Sequence, residues 1–185
     1  MYLFKKNIII ILLFLCSLPG FAQEYLFDVQ TINVEDGLAE RDIHGIAQDS
    51  KGYIWLSMQG VLSRFDGHQF KNYDYDFLNI RPNSTITIAV DKQDRIWYSE
   101  GIIPDLTTFS GILDTKQDTV YTFESISNGL IQSDNVNFVN TSDFNKNIIL
   151  IGTKDGSVYK YNGKFTLIYK ATSYKVVWNC FEFSP

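Results

Sequence analysis

Trp55 and Trp97 stand 42 residues apart, and each sits in a short apolar stretch behind a turn opened by aspartate. The first is Asp49-Ser50-Lys51-Gly52 leading into Tyr53-Ile54-Trp55-Leu56-Ser57; the second is Asp91-Lys92-Gln93-Asp94 leading into Arg95-Ile96-Trp97-Tyr98-Ser99. A unit repeated every 40 to 50 residues, roughly, cannot bury its apolar faces alone, so it must stack on copies of itself. Inside the first unit the breaks predict four strands: Asp42 to Gln48, Tyr53 to Ser57, Val61 to Phe65 after Gly60, and Gln69 to Tyr73 after Asp66-Gly67. Gly and Asp/Gly breaks supply left-handed turn positions cheaply, so the unit reads as an antiparallel meander.

A third copy opens at Asn128-Gly129-Leu130, echoing Asp36-Gly37-Leu38, and continues through Val136 to Asn140 and Ile148 to Gly152. Its closing run, Gly156 to Phe165 with Gly163 at the last turn, parallels Gly60 to Phe70, and Leu150 stands in the place of the tryptophan. Asp49, Asp91 and Asp143 read as one repeated turn position, more in keeping with a turn-former than with a unique catalyst. The second copy carries a longer excursion around Pro104 to Gly111. The expected fold is all-β: β-propeller blades at about 36–76, 84–125 and 128–170, with a fourth beginning at about 174. Since propellers close with about 4 to 8 blades, the chain reads as the front of an incomplete propeller. A composition of 14 Phe, 11 Tyr and 3 Trp against 4 Pro suits sheet.

Residues 1–22 read as a secretory signal peptide: Lys5 and Lys6, an apolar run from Ile8 to Leu18, then Gly20-Phe21-Ala22 as the cleavage region. The run is too short for a bilayer span, which takes about 20 residues. Cys16 lacks the small neighbours of a lipidation site. Cleavage removes Lys5 and Lys6 from the 16 basic residues and none of the 21 acidic ones, leaving a net charge of −7. Such a surface repels phosphate backbones, and nucleic-acid binding is not expected. Cys180 alone survives processing, so no internal disulfide forms, and its apolar surroundings, Val176 to Phe183, suit a buried thiol.

Asp36-Gly37-Leu38, Ile46-Ala47-Gln48-Asp49, Gly52-Tyr53-Ile54-Trp55-Leu56-Ser57 and Gly60-Val61-Leu62-Ser63-Arg64-Phe65-Asp66-Gly67 together resemble the two-component regulator propeller repeat family. These repeats form the periplasmic sensor regions of hybrid two-component systems in Bacteroidetes. The resemblance covers nearly everything after residue 30. It departs from the pattern at Ser99-Glu100-Gly101, where the family ends the strand in Gly-Thr. It implies an extracytoplasmic, ligand-sensing segment of a signal transduction protein, responsive to poly- or oligosaccharides. It also implies further blades, a homodimeric arrangement, and anchoring and transmitter modules beyond this segment.

Residue by residue, chemistry is hard to find. The turns miss the sialidase spacing Ser-x-Asp-x-Gly-x-x-Trp, because Asp49 and Gly52 are three apart rather than two. Glycoside hydrolysis needs two facing carboxylates, and no unique pair stands out. His44 and His68 have no ligand-spaced partners, so neither metal nor cofactor is expected. Trp55 and Trp97 suit inter-blade packing better than sugar stacking. The candidate ligand contacts are loop residues entering a tile's first strand, Glu40-Arg41-Asp42 and Gln132-Ser133-Asp134, because such loops gather at one mouth of a propeller. No catalysis is expected of this segment. The alternatives are a fragment of a secreted propeller glycosidase or lyase, and a freestanding protein- or carbohydrate-interaction module.

Overall fold

The computed structural model describes residues 29–101, 109–142 and 147–172, in a chain divided into two units, residues 1–31 and 32–185. Of the first unit only residues 29–31 are described, and they form no helix or strand. The predicted signal peptide, Asp143, Cys180, the fourth blade from about 174 and residues 102–108 of the second tile's excursion lie outside the described residues.

The second unit is all-β. Its described residues form three four-stranded antiparallel sheets, each a meander in chain order. The first holds β1 (Gly45–Gln48), β2 (Ile54–Met58), β3 (Val61–Phe65) and β4 (Phe70–Tyr73). The second holds β5 (Ile86–Val90), β6 (Ile96–Glu100), β7 (Ser110–Asp114) and β8 (Thr119–Tyr121). The third holds β9 (Val136–Thr141), β10 (Ile149–Thr153), β11 (Ser157–Tyr161) and β12 (Phe165–Lys170). These are three consecutive propeller blades that do not close a ring among the described residues.

Strand boundaries move by one to three residues from those the sequence predicts, and the turns explain why. Tyr53 is drawn out of β2 because its N–H donates to Asp49 Oδ1 (3.0 Å) and its carbonyl accepts from the Asp49 N–H (3.1 Å). β1 starts at Gly45 rather than Asp42, and only the His44 N–H, 2.8 Å from the Ser57 carbonyl, continues the pairing upstream.

β6 shows how the blades pack. All five of its residues are buried, whereas a sheet wetted on one side would alternate. Ile96 and Tyr98 face the first sheet, joining Trp55, Leu62, Tyr73, Leu78, Ile80, Ile86 and Leu113 in one core. Trp97 faces the third sheet and joins Ala89, Ile112, Phe123, Ile131, Val136, Val139, Ile149, Ile151 and Tyr161 in another. Each large apolar side chain so buried contributes about 1.5–3 kcal/mol, so the inter-sheet cores are what hold the stack together. On its other face the first sheet buries Leu56, Met58 and Val61 under Leu38, from the Gly-Leu pair that opens the tile. The first strands lie innermost in register, β1 beside β5 and β5 beside β9.

Candidate functional site

The repeated aspartates are built into the strands they precede. Asp49 accepts from the N–H groups of Lys51 and Tyr53 through Oδ1, and from Trp55 Nε1 through Oδ2 at 3.0 Å. Asp91 repeats the arrangement with Gln93, Arg95 and Trp97 Nε1 (2.8 Å), and its Oδ2 also takes the Arg95 guanidinium at 2.7 Å. Both carboxylates are buried, both tryptophans are fully buried at 0% exposure, and each indole spends its one N–H on the turn. A carboxylate so occupied is positioned to fix a turn and a side chain, not to move protons.

In the third sheet the backbone places Ser142 in register with Asp49 and Asp91. The Ser142 N–H donates to the Ile148 carbonyl (2.9 Å) as Asp49 does to Tyr53 and Asp91 to Arg95. Leu150, in register with Trp97, is buried and has no side-chain N–H, so the indole and the carboxylate are replaced together.

Neighbouring turns are also tied to one another. Asp94 holds a left-handed conformation at φ 64° where the first tile has Gly52, and its carboxylate accepts from the N–H (2.8 Å) and hydroxyl (2.7 Å) of Ser50 in the first sheet. Arg95, immediately ahead of β6, donates to the Tyr161 hydroxyl in the third sheet at 2.9 Å. At the outer strands Lys71 pairs with Asp118 at 2.6 Å and Tyr73 donates to the same carboxylate at 3.1 Å. The hydrogen bond to Lys71 holds the Asp118 carboxyl below its usual range.

These turns surround a concavity of about 680 Å³ where the ends of β1, β5 and β9 converge. Ile46, Ile88 and Val90 supply apolar wall; Gln48, Asn140 and Thr141 supply amide and hydroxyl groups, with Asp49, Asp91, Lys92 and Asp94 around them. The volume is that of a small-molecule site.

The loop residues singled out from sequence lie at the other end of the same strands and do not line this concavity. Glu40, Arg41 and Asp42 are exposed ahead of β1. Gln132 and Asp134 are exposed ahead of β9, and Gln132 Nε2 donates to the Gly129 carbonyl (3.3 Å). Ser133 is held within the loop. Its N–H (2.6 Å) and hydroxyl (2.7 Å) donate to Glu124, its Oγ accepts from the Phe123 N–H, and its carbonyl accepts from Ser110 Oγ. Burial pushes the Glu124 carboxyl up, and the hydrogen bonds from Ser133 outweigh it and bring the group below its ordinary value.

Sequence reasoning missed Gln48, Asn140 and Thr141. A signal for them exists, since Gln48 and Thr141 each end the first strand of a tile, but it becomes visible only once the innermost strands are known to be adjacent. His44 and His68 are exposed, and the backbone N–H of His68 serves the Asp66 turn at 2.9 Å. Among the described residues no group of His, Cys, Asp and Glu could hold a metal ion, and no helix is long and apolar enough to cross a membrane.

No protein-family model matches the chain, and no curated protein matches it. A solved structure does: the extracellular domain assigned to a hybrid two-component system of B. thetaiotaomicron, at 20% identity and a TM-score of 0.55. The likeness covers 81% of this chain and 22% of that one, so this chain spans about a fifth of the extracellular domain it matches. What this establishes is the fold: the chain is built of the same blade-like sheets as part of that extracellular domain.

Proposed function

We propose that this chain is an extracytoplasmic ligand-sensing segment of a two-component signal transduction protein, that it responds to poly- or oligosaccharides, and that it performs no chemistry itself. The observation that carries the reading is the structural likeness to the extracellular domain of a hybrid two-component system, extending over 81% of the chain. The site agrees with a binding role, because the repeated aspartates are consumed by turn amides and indoles. Further blades of the same protein complete the propeller, a signal peptide delivers it across the inner membrane, and a region beyond this segment anchors it there. Ligand binding biases the arrangement of two subunits across the membrane, which requires different affinities for the two states.

The test is made in the source organism. Deleting the gene should abolish transcriptional induction by at least one polysaccharide supplied as carbon source, and restoring the full gene should recover it. An unchanged response to every polysaccharide that induces transcription in the parent strain would remove the sensor reading.

A further inference from the structure

Three observations single out the concavity at the ends of β1, β5 and β9. It is shared among three sheets, so no single tile contains it. Its lining alternates apolar with uncharged polar groups: Ile46, Ile88 and Val90 beside Gln48, Asn140 and Thr141. Gln48 Nε2 donates to the Gly52 carbonyl at 3.2 Å, which fixes the amide of a lining residue whose oxygen is an acceptor. A sugar ring presents the same mixture, C–H faces that pack on aliphatic carbon and hydroxyls that exchange hydrogen bonds with amides.

The charges decide which sugars. Asp91 is matched by Arg95 at 2.7 Å, and Asp94 and Asp49 are consumed by Ser50, turn amides and the Trp55 indole. Among the described residues of the lining only Lys92 brings a cation, and its Nζ reaches toward Gly163 in the last turn of the third sheet. Among the described residues no arginine lines the space, whereas sulfate and carboxylate groups are held best by bidentate Arg. With Asp91 neutralised by Arg95, the described lining still sets Asp49 and Asp94 against Lys92, a balance that disfavours an acidic ligand.

We infer that this concavity is the ligand site of the segment and that it takes a neutral oligosaccharide in preference to a uronate or sulfated one. The inference rests on the sensing role proposed above and adds to it the place of binding and the class of sugar. It also sets the binding site at the mouth opposite the loops Glu40-Arg41-Asp42 and Gln132-Ser133-Asp134.

The experiment is a glycan array probed with the full gene product. The array carries neutral oligosaccharides from xylan, mannan, β-glucan and galactan beside acidic ones from polygalacturonate and chondroitin sulfate. The same array is probed with Asn140→Ala, with Thr141→Val and with the loop variant Arg41→Ala, each first shown to keep the parent unfolding temperature. Selective binding of a neutral oligosaccharide, weakened about tenfold by N140A or T141V as the loss of one or two hydrogen bonds predicts and unaffected by R41A, supports the inference. Binding that survives N140A and T141V, that is lost in R41A, or that is confined to acidic glycans overturns it while leaving glycan sensing intact. Absence of binding to every glycan overturns the inference and the carbohydrate-sensing proposal together.

Discussion

At the scale of single residues, aspartate and tryptophan act as one unit. The carboxylate of Asp91 satisfies two turn amides, the Arg95 guanidinium and the Trp97 indole, all within a 3% exposed site. Replacing Asp91 with Ala strands those donors, and we expect a loss of about 3 kcal/mol or more in chemical denaturation. The third sheet carries the serine and leucine combination naturally, in Ser142 and Leu150. Asp49→Ser combined with Trp55→Leu should therefore cost less than the two single changes summed, by about 0.5–3 kcal/mol in a double-mutant cycle. Glu124 contributes in a pH-dependent way. Its folded-state pKa lies below the ordinary 4.5, so its stabilisation is present above that value and is lost as pH falls through the lower folded-state pKa. Thermal unfolding followed from pH 6 downward should show the parent losing stability in that window and Glu124→Gln losing correspondingly less. The repeat was legible in the sequence at this scale because Asp, Gly and Trp mark it by side-chain type. The third tile is harder to read, because the stretch from Ser142 to Leu150 is two residues longer than those from Asp49 to Trp55 and from Asp91 to Trp97, and no carboxylate stands at Ser142.

At the scale of elements, the hairpins and the connections between sheets fit closely enough to restrict single atoms. Gly60, between β2 and β3, has φ 67° and donates its N–H to the Ser84 carbonyl at 2.9 Å. A Cβ there would stand 2.0 Å from the Pro82 carbonyl oxygen, so the turn of one sheet is seated on the connection into the next. Gly60→Ala adds a left-handed backbone penalty of about 1–2 kcal/mol to that clash. The midpoint of denaturation should fall by more than Gly67→Ala lowers it, since nothing lies within 4 Å of a Cβ at Gly67. Strand existence and order could be read from the turns, because Gly and Asp breaks mark both ends of most strands. The concavity could not. Its polar contributors, Gln48, Asn140 and Thr141, share no motif, and they meet only because β1, β5 and β9 are innermost and adjacent.

At the scale of the whole molecule, the three sheets are not equivalent. β6 is buried along its full length, whereas β12 exposes Leu167, Ile168 and Tyr169 at 47%, 50% and 57%. Tyr169 pairs with Val158 as Tyr73 pairs with Leu62, yet Tyr73 is only 3% exposed because the second sheet covers it. Hydrogen exchange should accordingly find the β6 amides slowest and those of β12 fastest among the strands. In a longer product of the gene that carries one more tile, Tyr169 should become protected from hydroxyl-radical footprinting, and persistent labelling would exclude a further blade at that face. The opposite end of the stack behaves differently, for Leu38 already shields Leu56, Met58 and Val61. This asymmetry gives construction a direction. A chain emerges N-terminus first, so the earliest of these three sheets has one of its faces partly sheltered by the residues just ahead of it. Among these sheets adhesive surface is then concentrated on the trailing side, so each tile that arrives covers the face its predecessor leaves open.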